Sequence, residues 1–170
     1  MFSFRTTPIT EQLDKSLLQG RVGCFCTQNC FDTGSECYLW EHFRQRGRLA
    51  KLFTPRETEL TPGTNHIEFS QEDLQELDAV VVEIQDTGVR YFNFTRDVMR
   101  LLSTRARMED GPAIYIIDHF NPLGRIVEGT MPAIEADLWT PKVAHRHGLT
   151  LGELCNFYVG EIDAKFPLHV

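Results

Sequence analysis

The chain lacks any apolar run long enough to cross a membrane. Its longest, Ala79 to Val82 and Ala113 to Ile117, fall far short of the roughly 18 residues a membrane helix needs. Met1 to Gly20 has no apolar stretch of the signal-peptide kind, so a cytoplasmic protein with no membrane partner is expected. Basic tracts are missing too. With 24 acidic against 17 basic side chains and a formal net charge of −7, the field of the molecule repels a phosphate backbone and argues against a nucleic-acid partner. Gly/Ser tracts and internal repeats are also missing. Twelve Phe, four Tyr and two Trp exclude a disordered or low-complexity chain. Three catalytic signatures are absent: no G-x-G-x-x-G follows the first expected strand, there is no Walker A sequence, and no G-x-S-x-G elbow occurs. No cofactor is expected on these grounds.

What is present is enough for a core. A chain of 170 residues, 42% of them hydrophobic, has the size and apolar content of one domain spanning 1–170. Cysteine is the unusual ingredient, because Cys24, Cys26, Cys30 and Cys37 crowd one stretch while Cys155 stands apart. A zinc site would want two close pairs or histidines at ligand spacing. The nearest histidine, His42, falls inside an expected amphipathic helix. Cys24 and Cys26 alternate within an apolar run, so on a strand both point to one face as small buried hydrophobes. Reduced structural thiols are expected, and no metal.

The order of elements is legible from periodicity and punctuation. A first helix is expected from Ile9 to Gln19, ended by Gly20, then a strand from Arg21 to Thr27, a polar loop from Gln28 to Glu36, and a helix from Cys37 to Arg46 with Leu39, Trp40 and Phe43 inward. Leu49 to Thr54 reads as a second strand. Pro55 to Phe69 reads as a long loop. Ser70 and Asp73 resemble a capping box before a short helix, and Ala79 to Gln85 is a third strand whose β-branched continuity predicts burial on both faces. A helix over Phe92 to Met108 is broken by Gly111-Pro112 ahead of a fourth strand, Ala113 to Asp118. Thr150 and Glu153 form a second capping box, opening a helix from Leu151 to Tyr158. This alternation predicts an α/β, Rossmann-like three-layer sandwich with a mainly parallel sheet.

In open parallel sheets ligands bind beyond the carboxyl ends of the strands. Four polar segments are therefore expected to converge: Thr27-Gln28-Asn29, Thr54 to Glu57, Gln85 to Arg90, and Asp118 to Pro122. On that surface Asp86, Arg90 and Asp118 are expected to form a charge network, with Glu128, His145 and His147 in loops folded over it.

Three stretches resemble one known family. D-A-V-V-V-E-I-Q-D-T-G-V-R-Y-F is similar to a strand-and-loop pattern ending in D-I-Q-D-x-G-x-R-F/Y. D-H-F-N-P-L-G-R-I-V-E-G is similar to D-R-P-N-P-x-G-G-x-x-V-E-G, and H-G-L-T-L-G-E-L to H-G-x-T-x-G-E-L; R-V-G-C-F-C-T-Q-N also resembles the family's first strand and its T-N-Q. These patterns belong to the amino-terminal, Rossmann-like domain of the exo-β-N-acetylmuramidase (NamZ-type) glycoside hydrolases, formerly a domain of unknown function. The resemblance implies a domain that, with a carboxy-terminal partner domain beyond Val170, forms a cleft removing N-acetylmuramic acid from peptidoglycan fragments. One motif departs. The family carries P-E-H-G after its second strand, where this chain reads Thr54-Pro55-Arg56-Glu57-Thr58. Arginine thus stands in the glutamate's place, with Glu57 one residue on.

Glycoside hydrolysis ordinarily takes two carboxyl groups. The resemblance makes Glu128, the glutamate of V-E-G, one candidate, and Glu57 or Asp86 the other. Gln28, Asn29, Arg90, Asp118, Asn121 and His147 are candidate sugar-binding residues. Arg90 is the kind of group that grips the lactyl carboxylate of muramic acid through parallel hydrogen bonds. Each has an ordinary structural alternative: Asp86 paired with Arg90, Asp118 and Asn121 shaping turns, and His147 fixing the loop ahead of Thr150. The expected partner is a muramyl sugar. Apolar side chains at Ile162, Phe166, Leu168 and Val170, expected to be exposed, favour a homodimer or a separate carboxy-terminal-domain chain.

Overall fold

A computed structural model describes residues 19–27, 30–54, 67–133 and 140–170. The expected helix before Gly20, and Gln28, Asn29, Arg56 and Glu57, lie outside the described residues, as does most of the expected loop from Pro55. Among the described residues five parallel strands make the sheet: β1 (Val22–Cys26), β4 (Leu49–Phe53), β5 (Ala79–Glu83), β6 (Ala113–Ile116) and β7 (Leu168–His169). A two-residue hairpin, β2 (Phe31–Asp32) with β3 (Cys37–Tyr38), lies between the first two of these. The helices are α1 (Leu39–Gln45), α2 (Gln71–Gln75), α3 (Asn93–Ala106) and α4 (Leu151–Glu161).

Side-chain alternation splits the core. On β5, Val80 and Val82 face one side of the sheet and Ala79 and Val81 the other, and all four are buried. Val80 and Val82 join Ile114 and Ile116 against Val98, Met99, Leu101 and Leu102 of α3 and Leu151, Leu154 and Tyr158 of α4. Ala79 and Val81 join Val22 against Leu39 and Phe43 of α1. A strand buried on both faces has no place for the polar half of an amphipathic pattern, which is why β5 reads as a continuous apolar run.

Strand order is β4-β1-β5-β6-β7. The chain steps outward from β1 to β4, returns to the far side of β1, and then proceeds through β5 and β6 to β7. Helix α1 covers one face while α2, α3 and α4 cover the other, the arrangement that crossovers of one hand require when they run in opposite directions. The direction of winding changes between β1 and β5. Such a switch point opens a crevice at the carboxyl ends of its two strands.

Two departures from the sequence reading concern short strands. The polar stretch 28–36 contains a hairpin arm, turned by Asp32, whose carboxylate accepts from Gly34 N at 2.9 Å and Ser35 Oγ at 2.7 Å. The tail after α4 is not an exposed apolar patch, because Phe166 and Leu168 pack against the main core and Leu168 joins the sheet as β7. Only Ile162 and Val170 stay exposed. Arg105 helps hold this end closed: its guanidinium donates to Pro112 O at 2.8 Å and Met108 O at 3.0 Å while lying over the Phe166 ring. Among the described residues no helix is long and apolar enough to cross a membrane.

Candidate functional site

Loops following β1, β5 and β6 meet at the switch point. The first is tied to β5 through Cys30, whose thiol accepts from Thr27 N at 3.1 Å and donates to the carbonyl of Glu83. Gln85 ties the next pair, donating from Nε2 to its neighbour's carbonyl at Asp86 and to Phe120 O, at 2.9 and 3.1 Å. Cys24, Cys26 and Cys30 form a small buried cluster against Trp40 and Leu49. Hydrogen bonding among these thiols and burial push Cys26 and Cys30 well above the usual thiol range, so neither is an activated nucleophile. Among the described residues no group of His, Cys, Asp and Glu is arranged to hold a metal ion.

The segment 143–150 runs back across the loops after β5 and β6 and stitches them together. Arg146 makes antiparallel bridges to Val89 on one side and Glu128 on the other. Backbone bonds from Arg90 N to His145 O (2.9 Å) and from His147 N to Gly88 O (3.2 Å) continue the seam. Gly88 has φ +74°, and a Cβ there would collide with the Asn121 amide; glycine alone satisfies both demands. Gly148 is constrained in the same way, by φ +69° and the backbone of Arg125 2.7 Å from where a Cβ would stand.

Asp86 and His147 sit beneath this seam, each 4% exposed. One oxygen of Asp86 accepts from Thr87 N at 2.8 Å and Thr95 Oγ1 at 2.9 Å. The other faces His147 Nε2 at 3.7 Å. Because His147 Nδ1 accepts from Leu149 N at 3.2 Å, the neutral ring carries its proton on Nε2, toward the carboxylate. Burial pulls the imidazole below its ordinary value, with the Asp86 charge opposing that shift. Burial thus favours the neutral form of the ring beside Asp86.

The expected charge network of Asp86, Arg90 and Asp118 is replaced by separate contacts. Arg90 Nη1 donates to the carbonyls of Thr130 (3.3 Å) and Val143 (3.0 Å). Asp118 caps α4, accepting from Thr150 Oγ1 at 2.7 Å and Gly152 N at 2.9 Å. Asn121 turns its own loop by accepting from Leu123 N and anchors it by donating to Leu149 O, both at 2.9 Å. Asp86 and Asp118 nonetheless share one neighbourhood, for both carboxylates act on the fully buried thiol of Cys155.

Glu128 is the outward-facing carboxylate of the group. Its side chain is 61% exposed and pairs with Arg146 Nη1 at 2.7 Å, while Arg146 Nη2 donates to Leu123 O. The loops after β5 and β6 also carry exposed apolar side chains, Tyr91, Phe120, Leu123, Ile126, Val127 and Met131, Phe120 to 93%.

Two residues at the site were not among the sequence candidates. Glu83 closes β5, is 3% exposed, and sits beside Cys26 in the adjoining strand. His119 Nε2 faces its Oε1 at 3.8 Å. Burial, reinforced by the Asp32 charge, pushes the Glu83 carboxyl up to about 7. The signal in the sequence was a glutamate ending the run Ala79 to Val82, since a charged group is seldom placed on a strand buried on both faces without a partner.

Parallel strands, helices on both faces and polar loops gathered at the switch point define an α/β domain of Rossmann-like type. The profile of the N-terminal domain of exo-β-N-acetylmuramidase NamZ matches residues 63–170, and the chain belongs to that family. It also resembles two solved DUF1343 family proteins of Bacteroides fragilis NCTC 9343. One aligns with a TM-score of 0.74 at 22% identity, over 95% of this chain and 47% of its own. The other gives 0.78 at 21%, over 95% and 49%. At that identity the likeness speaks for the fold, and the chain spans about half the length of each. No curated protein matches it.

Proposed function

We propose that this domain is the sugar-facing half of a glycoside hydrolase site of the exo-β-N-acetylmuramidase type, acting on muramyl sugars or peptidoglycan fragments and turning over weakly by itself. Glu128 carries the proposal: it is a solvent-facing carboxylate at the carboxyl edge of a parallel sheet, held in place by Arg146, where ligands of such sheets bind. Its partner arginine orients it without burying it. Arg90 uses only Nη1 in its two carbonyl contacts, which leaves the rest of the guanidinium fork for the lactyl carboxylate of muramic acid. Asp86 and His147, too deep to touch a sugar, hold the loops that present both groups.

Weak turnover follows from Arg56. In the P-E-H-G position a guanidinium stays charged and gives up no proton near neutral pH. The exposed apolar side chains Tyr91, Phe120, Ile126, Val127 and Met131 are suited to contact with a second domain, a separate chain that carries it, or a second copy of this one. Arg56 also favours a second reading, a non-catalytic relative serving as a sugar-binding or protein-interaction module.

The test is release of 4-nitrophenol from its β-N-acetylmuramide and its β-N-acetylglucosaminide, which differ only in the lactyl group. The chain should release the phenol slowly from the muramide and more slowly still from the glucosaminide. Equal rates on both remove the muramyl specificity, and no release from either favours the non-catalytic reading.

A further inference from the structure

We propose that Glu83 and His119 form a proton-handling pair at the switch point, His119 being the accessible acid and base and Glu83 the positioning carboxylate behind it, a role that rests on the muramidase proposal above. Glu83 ends β5, at the crevice between β1 and β5, and His119 lies just beyond β6, the next strand. Their side chains face each other at 3.8 Å. One carboxylate oxygen of Glu83 is directed at the imidazole, and the other is buried with no hydrogen-bond partner among the described residues. The histidine side chain is about a third exposed, and the glutamate is almost wholly enclosed.

This asymmetry assigns the roles. A buried carboxylate cannot meet a sugar, but an imidazole that backs onto it can reach one, and carboxylate–imidazole contacts in unliganded sites often tighten only when a ligand closes them. The other groups acting on Glu83 are Asp32 from β2, whose charge opposes ionisation, and the thiols of Cys26 and Cys30, whose own titration its charge opposes. A protonated His119, 3.8 Å away, offsets the charge of the ionised carboxylate. Both residues depart from the family patterns quoted above, which have aspartate and arginine there. The pair thus supplies this chain with a proton donor that Arg56 cannot be.

The step balances simply. The imidazolium gives its proton to the glycosidic oxygen as the bond to the anomeric carbon breaks, and that bond's electron pair leaves with the released alcohol. Water then adds at the anomeric carbon, and its proton returns to the imidazole. Glu83 remains behind the ring throughout and compensates its positive charge.

Two measurements on the full chain separate the pair from the sugar chemistry. Carbon-13 NMR of the labelled Glu83 carboxyl, followed through its titration, needs no substrate. His119→Gln should move that titration upward by about one pH unit, because a favourable positive neighbour has gone. An unmoved or lowered titration overturns the pair. The second measurement is the pH profile of phenol release from the muramide. Glu83→Gln should displace the limb near neutral pH, and Glu83→Asp should restore part of it. A profile unchanged in Glu83→Gln, with measurable wild-type release, overturns the role in the reaction even if the titration couples the two residues. Absence of release from every variant, wild type included, speaks against the muramidase proposal instead, and the titration alone then decides the pair.

Discussion

Glu128→Gln should lower phenol release from the muramide by at least about 10²-fold, because its negative charge is the carboxylate that glycoside hydrolysis takes beside the proton donor. The fold should be untouched. The side chain is 61% exposed and its partner Arg146 keeps Leu123 O as a second anchor, so the stability change should stay within about 0.5 kcal/mol, as for exposed ion pairs. Glutamine keeps the shape and can still accept from Arg146, but it cannot ionise. A large rate loss at an unchanged urea midpoint would therefore isolate the carboxylate. Release by the variant at the wild-type rate would remove Glu128 from the reaction.

Stability should fall with rising pH more steeply in the wild-type chain than in Glu83→Gln. The Glu83 carboxyl titrates at about 7 in the fold against 4.5 when exposed. Its folded-state value is raised, so its contribution is fully present below the unfolded value and is lost as pH rises through the folded one. Between about pH 4.5 and pH 7 the wild type should lose about 3 kcal/mol relative to the variant. Other groups contribute to the absolute curves. Burial raises Asp97 to about 6, in the same direction, and lowers His147, in the opposite direction. Subtracting the variant's curve removes both. Urea unfolding at several pH values in that window measures the difference, and parallel curves would mean that Glu83 is no harder to ionise in the fold than outside it.

The sequence was most legible where one physical cause dominates. The β-branched run of β5 has no explanation except burial on both faces, and all of Ala79 to Glu83 is buried. Thr150 and Glu153 were readable because a capping box needs two residue types at one spacing, and Thr150 Oγ1 accepts from Glu153 N while Glu153 Oε2 accepts from Thr150 N. Elements of two residues escaped. β2, β3 and β7 are too short to show a period, and Leu168 is in the sheet only because β6 already offers an edge.

Which loops gather at the sheet edge was legible in the sequence, and how their side chains pair was not. Placing Asp86, Arg90, Asp118, Asn121 and Glu128 on loops at one sheet edge follows from parallel-sheet logic. Which partner each chooses is decided by distances of a few ångströms that no spacing encodes. Asp118 bonds to the start of α4 and Arg90 to backbone carbonyls, although charge alone would have paired them. Arg146 could not be foreseen as the residue holding Glu128, since 18 positions separate them and only the seam of residues 143–150 brings them together.

The central claim is that the carboxyl edge of this sheet receives a muramyl sugar. Amide chemical shifts of the nitrogen-15-labelled chain, recorded with N-acetylmuramic acid and separately with N-acetylglucosamine, test it without requiring turnover. Muramic acid should shift amides in 85–90, 119–130 and 143–150 in a saturable way, with Arg90 and Glu128 among them, and should do so at lower concentration than glucosamine. Shifts confined to other faces of the domain, or identical titrations with the two sugars, would contradict it.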